Sequence, residues 1–440
     1  MNVTRLRTVQ VFTATIRLTS PGGVMAPQST PILGEATGIS GPDAVPVVEL
    51  GNGSVMPGTT LAGSFRQHLQ SRGVGDTDLV RLMGRGGQDP NASRLCVLGG
   101  RTPDRGDQGF LDEHSTAVDR YRGAARESTK RHVRRLPPGT EFITFWLLEN
   151  PTPGESAVVS EALGTWHPLL GSSVTNGRGD SQVVEVRTGT LDLSDERDLL
   201  LYLTHHGPEL CTVVATDEVA IADPEPRATI VIPLRIVEPL HFGTGETTQS
   251  TTRPRVNLVV RMGQDLVIPG RSVRGILRSR LDYMLHTLGL ADCPEQRCGV
   301  CLSCELFGFT SPTGGRRASV RILDSAVRDA RTETLEHVAI DRFTGGAKDS
   351  ALFTDEVIIE GTFDVVIERL DPPSDAWRLL EALVRLVAQD LHEGFVRLGG
   401  GASRGYGRVE LAPEPAAGPR LMPLDQAQHT MSTFVGSRRP

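Results

Sequence analysis

The residues best suited to chemistry are four cysteines, Cys293-x4-Cys298-x2-Cys301-x2-Cys304, which fall within 12 residues of a chain that has six. Thiolates at this spacing can close around a tetrahedral metal ion. Borderline-soft Zn²⁺ is the usual occupant, with an iron–sulfur cluster as the alternative. Four sulfur ligands would fill the coordination sphere, which makes the metal structural and argues against a zinc-dependent hydrolase. Cys96 and Cys211 stand apart and read as small apolar side chains.

A second set of candidates sits on a loop that the chain spells twice. Ala117-Val118-Asp119-Arg120-Tyr121-Arg122-Gly123 recurs as Ala339-Ile340-Asp341-Arg342-Phe343-Thr344-Gly345, 222 residues later. Arg120, Arg122 and Arg126 make the first copy basic, and Lys130, Arg131, Arg134 and Arg135 follow. In the second copy Arg342 and Lys348 are the cations. On a hairpin these groups could track a phosphate backbone, with Tyr121 and Phe343 packing on bases.

Two further motifs recur in the same order. Pro57-Gly58-Thr59-Thr60 and Arg66 fall on Pro269-Gly270-Arg271-Ser272 and Arg278 at an offset of 212. Each reads as a strand end, a turn and a helix start, with Thr59 or Thr60 as an N-cap. A helix N-terminus with Arg271, Arg274 and Arg278 close by is an anion site. The glycine loops Leu170–Gly179 and Leu398–Gly407 recur at an offset of 228. Gly171, Arg178, Gly400, Gly401 and Arg404 would bring backbone and charge close to a ribose-phosphate chain. Offsets that grow from 212 to 228 while the order holds mark a duplication with insertions in the second copy.

The elements that must position these motifs are largely strands. Residues 7–19 alternate apolar and polar side chains, and 141–148, 183–186 and 229–236 also read as strands. The acidic, Pro-bearing stretch from 190 to about 227 reads as a module end and linker. The domains expected are therefore residues 1–222, residues 223–413 with the cysteine insertion at 293–304, and a loosely packed tail at 414–440. A net charge of −7 speaks against indiscriminate binding to nucleic acid unless basic groups are concentrated locally. No apolar run approaches about 18 residues and the N-terminus shows no signal-peptide pattern, so the expectation is a cytoplasmic protein without a membrane partner.

Together these motifs, above all Gly399-Gly400-Gly401-Ala402-Ser403-Arg404-Gly405-Tyr406-Gly407, resemble the RAMP superfamily. Within it they are most similar to the backbone subunit of type III CRISPR effector complexes, in a two-module fused form as in some type III-D systems. The resemblance implies an α+β chain of two tandem ferredoxin-like (RRM-like) modules with long inserted loops and thumb hairpins. It also implies guide RNA, target RNA and other effector subunits as partners. The Pro-Gly helices and glycine loops would hold the guide, and the Asp-Arg loops would be thumbs that interrupt guide–target pairing. Catalytic members cut target RNA with an Asp in the loop after the first strand and a divalent ion such as Mg²⁺. Here that residue is Asp43, 14 residues before Pro57. The matching interval of the second copy, Gly243 to Gly263, contains no Asp, so cutting is expected from the first module alone. Asp119 and Asp341 would then fix their loops. A catalytically inert subunit is the alternative. So is a guide-precursor processing nuclease, for which no histidine pair is recognisable in the sequence.

Overall fold

The computed structural model describes residues 5–26, 45–46, 48–49, 53–86, 90–103, 109–118, 127, 129–223, 226–247, 256–289, 293, 298–311, 314–370, 375–413 and 419–438. Its contacts divide the chain into two units. The first is Met1–Glu113, Arg131–Val174 and Arg178–Pro226; the second is His114–Lys130, Thr175–Gly177 and Arg227–Pro440.

In the first unit the sheet is built around the strand Thr8–Leu18, whose alternation sends side chains to two different cores. Phe12, Ala14, Ile16 and Leu18 enter one, whereas Val9 and Val11 enter the other. The strand pairs antiparallel with Glu141–Glu149 on one side and Ser181–Asp192 on the other. Leu95–Arg101 adds antiparallel to Glu141–Glu149. The helix Gly58–Ser71 follows the first of these strands in the chain and Pro153–Gly164 follows the third. Their apolar faces, Leu61, Phe65 and Leu69 with Val159, Ala162 and Leu163, close the larger core. In chain order the strands lie fourth, first, third, second, the order of a ferredoxin-like βαββαβ sheet.

The second unit has the same order. Val409–Leu411, Thr229–Ile236, Ala347–Arg369 and Val320–Ile322 are neighbours in that sequence, all antiparallel. The helices Gly270–Thr287 and Asp375–Glu393 contribute Val273, Leu277, Leu281 and Leu285, and Leu380, Leu383, Val387 and Leu391, to its core. The chain is thus mixed α+β, as expected. Ala347–Arg369 runs beyond its sheet partners and pairs with Arg328–Ile340 in a long hairpin that ends at the register Ile340↔Ala347.

Two segments depart from expectation. The stretch read as a module end and linker forms helices Glu196–Thr204 and Pro208–Val214. Leu210 and Cys211 of the latter are buried against the second face of the first sheet, with Val9, Val11 and Phe145. The tail forms the helix Leu424–Arg438, and Ala427 and Met431, one helical turn apart, are buried in the second unit's core. Its apolar spacing outweighs the breaker-rich segment ahead of it. No described helix is long and apolar enough to cross a membrane.

The helix that begins at Gly270 presses on the sheet. A Cβ there would stand 2.4 Å from the Ile322 carbonyl oxygen, whereas Gly275, on the exposed side of the same helix, has nothing within 4 Å. Gly270→Ala is therefore expected to lower the unfolding free energy by about 1–3 kcal/mol. Gly275→Ala should raise it by about 0.5–1 kcal/mol. Urea unfolding of both variants checks this, and equal effects would refute the packing argument.

Candidate metal centre and nucleic-acid interface

The four cysteine sulfurs lie within 4.8 Å of one another. A tetrahedral zinc with bonds of about 2.3 Å separates its sulfurs by about 3.8 Å, and Cys293 Sγ and Cys304 Sγ are 3.6 Å apart. Backbone amides surround the set: Cys298 N–H donates to Cys293 Sγ at 3.5 Å, Cys301 N–H to Cys298 Sγ at 3.3 Å, and Cys304 N–H to Cys301 Sγ at 3.4 Å. The last of these caps the helix Leu302–Phe307. Burial opposes ionisation of Cys298, yet N–H donors from Val300 and Cys301 outweigh it and bring the thiol down to about 7. Cys293 and Cys301 are pushed up, by burial foremost and by neighbouring thiols. A bound dication would hold all four as thiolates. Donor type, spacing and amide hydrogen bonds all fit zinc.

Two of the arginines expected beside RNA, Arg274 and Arg278, bond to the far end of this helix. Arg278 is buried; its Nη1 donates to the Gly308 carbonyl at 2.9 Å and its Nε to Ser303 Oγ at 3.3 Å. Arg274 donates to the Phe307 carbonyl, and both guanidinium groups lie over the Phe307 ring. Carbonyls at a helix C-terminus lack partners within the helix and attract cations. Arg66 does the same in the first unit: its Nη2 donates to the carbonyls of Met83 and Gly84, at 2.8 and 2.6 Å, at the end of the helix Asp76–Met83. Arg66, Arg274 and Arg278 thus clamp helix ends, with guanidinium donors committed to protein carbonyls.

The helix starts are also partly committed. Gly270 N–H donates to Asp324 Oδ1 at 2.7 Å, so a protein carboxylate occupies the place expected for phosphate. The N-cap of the first helix is Pro57, whose carbonyl accepts from Thr60 and Leu61; Thr59 and Thr60 lie inside the first turn and do not cap it. Thr59 is exposed, and Thr60 and Ser272 are half-buried. Arg271 donates to the His114 carbonyl at 3.0 Å within the second unit.

Both glycine loops are drawn tightly against the segment after their own first strand. Gly179 N–H donates to the Pro21 carbonyl at 3.0 Å and Gly407 N–H to the Pro239 carbonyl at 2.9 Å. A Cβ on Gly171 would stand 2.2 Å from the Gly23 oxygen, and one on Gly399 2.6 Å from the His241 oxygen. Gly400 N–H donates to that same His241 oxygen, and Gly401 lies under the Tyr406 ring. The two loops differ in charge. Arg178 is buried and, with Arg135, holds Glu113 at 2.6 Å. Arg404 keeps 41% of its side chain exposed.

At the hairpin tip, Asp341 Oδ1 accepts from the N–H groups of Thr344 and Phe343, each at 2.9 Å. These donors, Thr344 first, hold its carboxyl below the usual carboxylate range. Asp341 fixes the tip, while Arg342, Phe343 and Lys348 are exposed, Phe343 completely. Asp43, Arg120, Arg122 and Arg126 lie outside the described residues, as do Asp119 and Tyr121.

One group escaped sequence reasoning. His337, Phe353, Asp355 and Tyr406 come together where the hairpin meets the glycine loop; His337 Nε2 and the Tyr406 hydroxyl share a hydrogen bond of 2.5 Å, and the His337 and Phe353 rings stack at 5.0 Å. These residues come from three stretches that only the sheet brings together, so no spacing announces them. Tyr406 is 3% exposed, which makes the pair a tie between hairpin and loop and leaves it poorly placed to meet a substrate.

Residues 234–410, inside the second unit, match the family model of the RAMP superfamily. No curated protein matches the chain.

Two outcomes are expected of variants. The purified protein should carry about one zinc per chain, and Cys301→Ser should abolish it and lower thermal stability. Four freely titrating thiols in a fully stable protein would contradict the metal centre. Arg278→Ala should cost about 2–3 kcal/mol of stability while leaving RNA affinity of the folded protein unchanged, read by unfolding and by filter binding.

Proposed function

We propose that this chain, with its RAMP-superfamily segment, is an RNA-binding subunit of a CRISPR effector complex, specifically a two-module backbone subunit of a type III assembly. The observation that carries the reading is the family match over residues 234–410. The ferredoxin-like strand order in both units supports extending it to the first. Guide RNA would run past the glycine loops of both units, where backbone without side chains allows close approach. The hairpin ending in Phe343 would serve as a thumb against the guide–target duplex, its bare ring stacking on an unpaired base. Zinc at Cys293, Cys298, Cys301 and Cys304 would set the fold of the insertion.

Target cleavage belongs to the first unit in this reading. The target's 2′-hydroxyl oxygen attacks the adjacent phosphorus and the bond to the 5′ oxygen breaks. The hydroxyl proton is lost and the leaving oxygen gains one, giving a cyclic phosphate and a 5′-hydroxyl end. Asp43 would assist loss of the hydroxyl proton or help hold the divalent cation. A cation such as Mg²⁺ would offset the charge on the phosphate when bound. The second unit, without an Asp in the matching interval, would bind and not cut.

The test is the assembled complex with guide and labelled target. Asp43→Ala should abolish the cleavage products and leave target affinity within about twofold, less than the tenfold that 1.4 kcal/mol represents. The same products at the same rate would leave an inert RNA-binding subunit as the correct reading. Cleavage of repeat RNA by the isolated chain would instead indicate a processing nuclease.

A further inference from the structure

We infer that Asp355 is a positioning residue that aims Arg404 of the second glycine loop at a phosphodiester of single-stranded RNA. The inference rests on the RNA-binding reading above; it adds which cation of the loop meets the phosphate and what holds it there.

Asp355 is 2% exposed, yet it carries a charge partner that reaches the surface. Its Oδ2 accepts from Arg404 Nη2 at 2.8 Å, and its Oδ1 accepts from Asn257 Nδ2 at 2.7 Å. His337 Nε2 lies 3.7 Å from the same Oδ2. The guanidinium is also fixed by stacking, with its carbon 5.3 Å from the centre of the Phe353 ring and 5.5 Å from that of Tyr406. A guanidinium has five N–H donors in a planar fork. Among the described residues the Asp355 carboxylate is the acceptor for this one, and the side chain remains 41% exposed. The guanidinium is therefore anchored in the protein at one nitrogen while the side chain reaches solvent from the glycine loop. The first glycine loop has Asn176 at the position that matches Arg404 at the same offset of 228, and its Arg178 is 5% exposed and paired with Glu113.

Charge alone and positioning predict opposite signs. Removing a carboxylate near an RNA surface should strengthen binding if only charge matters. If Asp355 holds Arg404 ready, its loss returns the cost of immobilising a long side chain and binding weakens.

The experiment measures affinity of the full-length chain for labelled single-stranded RNA over a range of salt, for wild type, Arg404→Ala, Asp355→Asn and the double variant. Each single variant is expected to bind about three- to tenfold more weakly. Each should also lower the magnitude of the log K against log salt slope by about 0.7, the loss of one phosphate contact. The double variant should bind no more weakly than Arg404→Ala alone. Unchanged or tighter binding by Asp355→Asn with an unchanged slope, or additive losses, would overturn the inference while leaving RNA binding intact. Absence of RNA binding by the wild type would overturn both. Should Asp355→Asn fail to fold, Asn257→Ala frees one carboxylate oxygen and loosens the anchor. Weaker binding by that variant supports the inference and unchanged binding counts against it.

Discussion

An arginine that caps the end of a short helix is the constraint on which much of this structure depends. Arg66 and Arg278 each leave the first helix of their unit and spend their donors on carbonyls where the next helix stops. Such carbonyls have no partner inside their own helix, and leaving them buried and unbonded costs about 1–3 kcal/mol each. The clamp fixes the short helix and, in the second unit, the cysteine set: Cys301 caps the helix whose far end Arg274 and Arg278 hold. Metal centre and arginine clamp are two ends of one small element.

The glycine loops impose the second constraint, and it too is repeated. In both units the loop hydrogen-bonds to a proline carbonyl after the first strand, and no side chain fits between them. What differs is the polar group that ties loop to neighbouring hairpin. In the first unit it is Glu113 held by Arg135 and Arg178, with the cations buried. In the second it is Asp355 with Arg404, His337 and Tyr406, and the arginine reaches solvent. The part common to both units is the backbone path, whereas the charged groups differ. A chain with net charge −7 can bind RNA on such a scaffold only where its cations are turned outward.

Much of this was legible in the residues. The alternation of 7–19 anticipates the strand Thr8–Leu18, and the cysteine spacing anticipates sulfurs within bonding range of one ion. The recurring Pro-Gly and glycine loops anticipate matching turns. Arg66 and Arg278 both cap a helix end, and a repeated arginine looks the same in sequence whether it faces phosphate or a carbonyl. The helices Pro208–Val214 and Leu424–Arg438 were hidden by acidic, Pro- and Gly-rich surroundings, although each buries only a few apolar side chains. The meeting of His337, Asp355 and Tyr406 depends on strand register and could not be read locally.

The central proposal is that RNA is gripped through the backbone-lined glycine loop of each unit while the helix arginines hold helix ends. Photocrosslinking of guide RNA in the assembled complex, with adducts mapped by mass spectrometry, tests it most directly. Adducts are predicted in residues 171–179 and 399–407 and at the exposed tip around Phe343, with none on Arg66 or Arg278. Adducts on those arginines and none in the glycine loops would contradict the account.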